Sequence, residues 1–314
     1  MKKALLLLNM GGINSIDEVE LFLKNMFDDR YILPMPKPIR KIIAKKIINS
    51  RLEEVKQNYQ ILGGKSPLTD ISNSLVSKLE KRVDMPVHLA MRYVPPFAKD
   101  ALSKCKAQGV EELVLFSMYP QYSTTTTKSS LQDIYDICQE IGYEPKFSIV
   151  ESYYDDFGYI KLVGDDIIKV SHAKNTKDYT LILSAHGLPQ SIIKKGDSYQ
   201  NHIYATVGAI KSYLGCKGVE FANIELAYQS KVGNAKWLEP NLQDVIKNNP
   251  TKKAIIYPIA FTIDNSETVF ELDIEHREIA QEAGYEDFVV VNALNDSDGF
   301  VEFIAKRLEC ADYR

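Results

Sequence analysis

Leu113–Ser123 reads LVLFSMYPQYS and Ala254–Ser266 reads AIIYPIAFTIDNS. Each stretch opens as an unbroken apolar run, passes a tyrosine and a proline, and ends in polar residues that lead into a helical pattern. A short apolar run without in–out alternation is what a parallel strand covered on both faces requires. The echo between the two stretches predicts that one half of the chain repeats the architecture of the other.

Working outward, runs of the same kind recur. With Glu112–Met118 and Lys253–Ile259 they are Ala4–Asn9, Val87–Tyr93, Lys146–Val150, Tyr179–Ala185, Asn223–Tyr228 and Asp287–Val291. Amphipathic stretches separate them: Ser15–Asp28, Ser72–Arg82, Pro96–Gln108, Thr127–Ile141, Asp156–Ala173, Tyr199–Leu214, Asn241–Asn248, Glu267–Ala283 and Gly299–Cys310. Ser15 and Glu18 have the spacing of a capping box. The alternation predicts an α/β fold of two similar doubly wound domains, each with a four-stranded parallel sheet flanked by helices. An eight-stranded barrel has the same strand count and is the alternative. Symmetry alone sets the boundary, giving domains over 1–165 and 166–298, with the helix near 156–173 as crossover.

Composition narrows the function classes. The 314 residues carry 38 basic and 42 acidic side chains, a net charge of −4, which disfavours nucleic acid as a partner. The cysteines Cys105, Cys138, Cys216 and Cys310 are widely separated, with no CxxC spacing, so a zinc ribbon, an iron–sulfur cluster and a disulfide framework are all disfavoured. A reducing, cytoplasmic setting fits that usage. Ala4–Leu8 is too short for an export segment, and no run approaches a membrane span.

Ligands of open α/β sheets bind beyond the carboxyl ends of the strands. The residues there are Met10-Gly11-Gly12, Arg92-Tyr93, Tyr119 to Ser123, His186-Gly187, Gln229-Ser230-Lys231 and Asp264 to Glu267. His186 suits proton transfer or metal ligation, although a structural histidine in a loop would look the same. Glu267, Glu271 and Glu275 recur every four residues and predict one carboxylate stripe on a helix, able to guide a cation or relay protons; a solvated helix face is the plainer reading. Asp264 precedes that helix and could cap it. The Met10-Gly11-Gly12 turn lacks the dinucleotide pattern, and the hydroxyl-rich Ser123 to Ser130 lacks P-loop lysine placement. Pro36–Arg51 (PKPIRKIIAKKIINSR) is a basic amphipathic segment that fits either an anionic membrane surface or ordinary packing of its isoleucines.

Several of these stretches together resemble the ferrochelatases. Ser184–Pro189 (SAHGLP) is similar to the family's SAHSLP, and Gly196–Tyr199 (GDSY) to its GDPY. Ala227–Trp237 (AYQSKVGNAKW) resembles WQSKVGPxxW, and Ile259–Glu275 (IAFTIDNSETVFELDIE) resembles IAFTSDHIETLYELDIE. Leu8–Gly12 (LNMGG), Asn58–Pro67 (NYQILGGKSP), Met91-Arg92-Tyr93 and Tyr119–Ser123 (YPQYS) match in the first half. The resemblance spans about residues 4 to 280.

The resemblance implies two doubly wound domains with a cleft between them, and a last helix, 299–314, packing back on the first. It implies an enzyme that inserts ferrous iron into a porphyrin, with protoporphyrin IX and iron as partners and no tightly bound cofactor or iron–sulfur cluster. His186 and Glu267 would be the catalytic and metal-contacting pair, with Asp264 and Glu271 as a proton or metal relay. Met10, Arg51, Tyr59, Ser66, Arg92, Tyr122 and Trp237 would bind or support the substrate. Met10 and the long basic lip at 36–51 resemble the protoporphyrin type, whereas coproporphyrin users tend to have tyrosine at the Met10 position. That lip implies peripheral contact with the inner membrane surface. Asn265 departs from the family, which has histidine there. A coproporphyrin chelatase and a non-catalytic tetrapyrrole carrier stay as alternatives, and the missing export signal counts against a periplasmic-type binding protein.

Overall fold

The computed structural model describes residues 1–231, 233 and 235–309. In chain order its main elements are β1 (Lys3–Asn9), α1 (Val19–Asp28), α2 (Lys37–Ile61), α3 (Leu68–Leu79), β2 (Val87–Met91), α4 (Ala98–Ala107), β3 (Glu112–Ser117), α5 (Ser129–Glu140), β4 (Lys146–Val150), α6 (Phe157–Ser171), β5 (Thr180–His186), α7 (Gln190–Ile193), α8 (Tyr199–Cys216), β6 (Asn223–Gln229), α9 (Leu242–Asn248), β7 (Lys253–Pro258), α10 (His276–Glu282), β8 (Asp287–Val290) and α11 (Asp298–Glu309).

The strands form two separate four-stranded sheets, ordered β2-β1-β3-β4 and β6-β5-β7-β8. All pairings are parallel, with Leu7 opposite Leu89 and Phe116 in the first sheet and Leu183 opposite Leu226 and Tyr257 in the second. The identical order confirms the duplication and excludes the barrel. Leu5 to Leu8 and Leu181 to Leu183 are at most 1% exposed, because helices cover both faces of these central strands.

The chain divides into two compact units, Met1–Ser152 with the stretch from Asp296 onward, and Tyr153–Asn295. The boundary therefore lies before residue 156, not at 165. The cause is α6, which is bound wholly to the second unit: a side chain on Gly164 would sit 2.3 Å from the Tyr213 ring of α8, and the Tyr159 hydroxyl donates to the carbonyl of Ile259. In the first unit, α11 packs on α3. Ser74 donates to Asp296 at 2.6 Å, Lys78 reaches Asp298, and Arg82 makes a two-pronged contact with Glu302. Cys310 to Arg314 of the expected terminal helix lie outside the described residues.

Three local expectations change. Ser15 makes no capping bond; the first turn, Ile16–Glu18, is 3₁₀, and Glu18 instead accepts from the backbone and side-chain nitrogens of Asn14. The lip helix α2 runs ten residues beyond Arg51, and its isoleucines divide: Ile48 is buried, while Ile39 and Ile42 are 51% and 72% exposed. The helices after β3 and β7 begin as π-helix, over Thr124–Lys128 and Glu267–Glu275, before α5 and α10 take over. The echo that betrayed the duplication thus extends to a widened turn following the third strand of each unit.

Candidate active site

In the second sheet the chain winds one way from β5 to β6 and the other way to β7. The strand order therefore reverses between β5 and β7, the position where open α/β sheets bind ligands. His186 closes β5 and Glu267 opens the π-helix after β7, so the topology delivers both to this point. The end of β5 is fixed in place. Ser184 donates to the Gln229 side chain at 2.7 Å, Ile259 N–H donates to the Ser184 carbonyl, and the Tyr199 hydroxyl donates to the carbonyl of His186 at 2.9 Å. Gly187 follows because a Cβ there would lie 2.7 Å from the Gln229 carbonyl oxygen; Trp237 packs against the same glycine.

His186 Nδ1 and Glu267 Oε2 are 2.6 Å apart. A carboxylate can only accept, so it favours the hydrogen on Nδ1, and Nε2 makes no hydrogen bond among the described residues. The two side chains retain 35% and 22% of their surface, so they are set in the protein but open on one side. Burial alone would lower the His186 pKa, but the Glu267 charge and hydrogen bond outweigh it and raise it. Burial pushes the Glu267 carboxyl up, and the imidazole more than reverses that, leaving it lowered.

Glu271 joins the pair through Ser230, whose hydroxyl lies 3.0 Å from Glu267 Oε2 and 2.5 Å from Glu271 Oε2 and whose backbone N–H donates to Glu271 Oε1. Burial and the neighbouring Glu267 charge raise the Glu271 carboxyl to about 7. Glu275, the third of the sequence stripe, is exposed.

Asp264 is placed differently from the expected relay or cap. Its two oxygens accept from Ala293 N–H and the Asn295 amide, and its own N–H donates to Asn295 Oδ1, which clasps the loop after β7 to the loop after β8. Asn265 does the capping, with its Oδ1 accepting from Glu267 N–H at 2.8 Å. Asn265 therefore seats Glu267 through its backbone.

Of the expected substrate-binding residues of the first unit, Met10, Arg92 and Tyr122 follow strands, Arg51 and Tyr59 lie on α2, and Ser66 precedes α3. Met10 follows β1, half-buried, and packs with buried Tyr59 in one apolar cluster. Tyr122 follows β3 and is half-buried. Arg51 is half-buried on α2. Ser66 is buried: its hydroxyl receives the Leu68 N–H and touches Gly12, where any Cβ would clash at 2.5 Å. Arg92 is engaged too. Its guanidinium is directed to Asp29, Asp133 and the Ser129 hydroxyl, the arrangement of a support rather than a free substrate donor. Ser123 accepts from Thr125 N–H, so the hydroxyl-rich loop is an N-cap.

Sequence reasoning grouped Ser230 and Gln229 among the strand-end residues but gave them no role, and it assigned none to Tyr199 or Asn295. Their contacts cross between loops, and no local pattern marks them. Val232 and Asn234 of the expected Ala227–Trp237 motif lie outside the described residues. Among those residues no group of three or more His, Cys, Asp or Glu side chains is arranged to hold a metal ion.

A family model described as ferrochelatase matches residues 2–311. The chain is 46% identical to a ferrochelatase of Wolinella succinogenes over 308 residues, 98% of each chain. It is 43% identical to one of Helicobacter pylori strain P12 over 311 residues, 98% of this chain and 93% of that one. Among solved structures, SirB from Bacillus subtilis with Fe3+ matches with a TM-score of 0.59 at 10% identity, covering 98% of this chain and 95% of that one. That likeness carries the two-sheet fold.

Proposed function

This chain belongs to the ferrochelatase family and is a metal chelatase, and from that premise we propose that it inserts ferrous iron into protoporphyrin IX. The observation that carries the reading is the imidazole–carboxylate pair at the switch point of the second sheet.

Metal insertion exchanges two pyrrole N–H bonds for bonds from the four ring nitrogens to the metal, with release of two protons. His186 Nε2 is the acceptor for an N–H proton. Glu267 stabilises the imidazolium that forms, because its carboxylate already holds Nδ1–H. Glu267 Oε1 makes no hydrogen bond among the described residues, so this oxygen and Nε2 are the contacts offered to the incoming metal, and Nε2 is free to take the proton once the metal has passed to the ring nitrogens. Two such contacts suit a metal that passes through, whereas a resident site takes three or four protein ligands. Glu271, raised to about 7, serves as a proton station behind the pair. Iron enters as substrate, and the reaction needs no resident cofactor and no iron–sulfur cluster.

Met10 gives the first unit an apolar, polarizable strand end suited to a flat macrocycle. Exposed Ile39 and Ile42 on α2, beside exposed Lys37, Lys41, Lys45 and Lys46, suit shallow contact with an anionic membrane from the cytoplasmic side. No helix among the described residues is long and apolar enough to cross a membrane. Both features favour the poorly soluble protoporphyrin over coproporphyrin.

The test is an absorbance assay with ferrous or zinc ion and protoporphyrin, run beside coproporphyrin. The expected result is metalloprotoporphyrin formed faster than the coproporphyrin product. A spectral shift without metalloporphyrin would mark a carrier, and preference for coproporphyrin would reassign the substrate.

A further inference from the structure

We propose that Ser230 is the positioning residue of this site, its hydroxyl holding Glu267 against His186 and tying Glu271 to the same point. The inference deepens the chelatase reading and rests on it for the kinetic readout.

The geometry is convergent. Glu267 Oε2 accepts from His186 Nδ1 and lies 3.0 Å from the Ser230 hydroxyl, so one oxygen is pinned from two directions. Without the hydroxyl, the carboxylate could rotate about its terminal torsion, which is broad in glutamate. Glu271 is held at both oxygens: Oε1 accepts from the Ser230 N–H, and Oε2 shares the single Ser230 hydroxyl proton with Glu267 Oε2, with Gln229 Nε2 at 3.4 Å as a weaker contact. Two carboxyl groups of the same helix thereby meet at one serine instead of separating.

The backbone adds a second argument. Ser230 has φ of 65°, in the left-handed region that glycine occupies freely and other residues at a cost. This conformation lets the N–H and hydroxyl of one residue address the same carboxylate. A glycine would keep the N–H contact and remove the cost, yet the chain carries a serine. The side chain is therefore what the position requires.

The test compares Ser230→Gly with Ser230→Ala in the full chain. Glycine relieves the backbone cost and alanine keeps it; both lack the hydroxyl. Zinc insertion into protoporphyrin should lose kcat by about 10- to 100-fold in both, the range for removing a group that orients a ligand. Porphyrin affinity by fluorescence quenching should stay within about twofold, because the change lies in the orientation of the pair and not in substrate contact. The 15N resonances of His186 in the metal-free protein should move toward averaged tautomer values in both variants. Wild-type kcat in Ser230→Gly, or loss confined to Ser230→Ala, would overturn the proposal. The nitrogen spectrum needs no turnover, so it decides Ser230's role even if the chelatase reading fails, and unchanged His186 resonances would overturn it.

Discussion

His186 Nδ1 and Glu267 Oε2 meet at 2.6 Å although 81 residues separate them in sequence. The chain spans that distance by running through β6 and β7, so the pairing is a product of strand order in the second sheet. Both groups sit in surroundings that penalise charge, and each offsets the other's penalty.

Glu271 yields a pH prediction. Burial and the Glu267 charge raise its carboxyl from 4.5 to about 7. Between those values the folded chain holds a proton that the unfolded chain has released, so this group's contribution to stability falls as pH rises through that window. Glu271→Gln should therefore gain a few degrees in melting temperature over the parent at pH 8 and little at pH 4. Paired melting curves at the two pH values check it; an equal difference at both would contradict it.

Asp264 clasps the loop after β7 to the loop after β8. Asp264→Asn places an amide against the Asn295 amide and should cost about 1–3 kcal/mol in urea unfolding. Turnover should fall far less than in Glu267→Gln. Comparable loss in both variants would return Asp264 to the relay.

Asp29 is buried in the first unit, where it accepts from the Tyr93 hydroxyl, the Ser129 hydroxyl and the Tyr31 N–H, with Arg92 at 3.4 Å. Asp29→Asn leaves one acceptor oxygen among these buried donors and Asp133 as the one remaining carboxylate paired with the Arg92 guanidinium among the described residues. The expected destabilisation is about 3 kcal/mol by denaturant unfolding; a change under about 0.5 kcal/mol would show the cluster to be incidental.

The lip prediction concerns Ile39 and Ile42. Sedimentation with vesicles containing anionic phosphatidylglycerol should capture the chain, weakening as salt screens the lysines of α2. The Ile39→Ser, Ile42→Ser double variant should lose most of that binding. Equal sedimentation of both proteins would remove the membrane role.

Much of this was legible in the residues. Continuous apolar runs such as Ala4–Leu8 and Leu181–Leu183 mark buried parallel strands because both faces are covered. His186 was legible because it ends such a run. Less legible were features that depend on partners distant in sequence. The resemblance placed Ser66 and Arg92 at the substrate, and it could not show that Gly12 and Asp29 engage them in the fold. The Glu267–Glu275 stripe implied an α-helix; its hydrogen bonding is π, and the stripe ends at Glu271 because Glu275 turns to solvent. Asp264 pointed to function by proximity, yet its partners Ala293 and Asn295 follow a later strand.

The central claim is that His186 takes the pyrrole proton, and single-turnover insertion of zinc into protoporphyrin by His186→Ala tests it most directly. The account predicts loss of metalloporphyrin formation by at least about 100-fold, the lower range for removing a general base, with porphyrin still bound as judged by fluorescence quenching. Formation at the parent rate would contradict it.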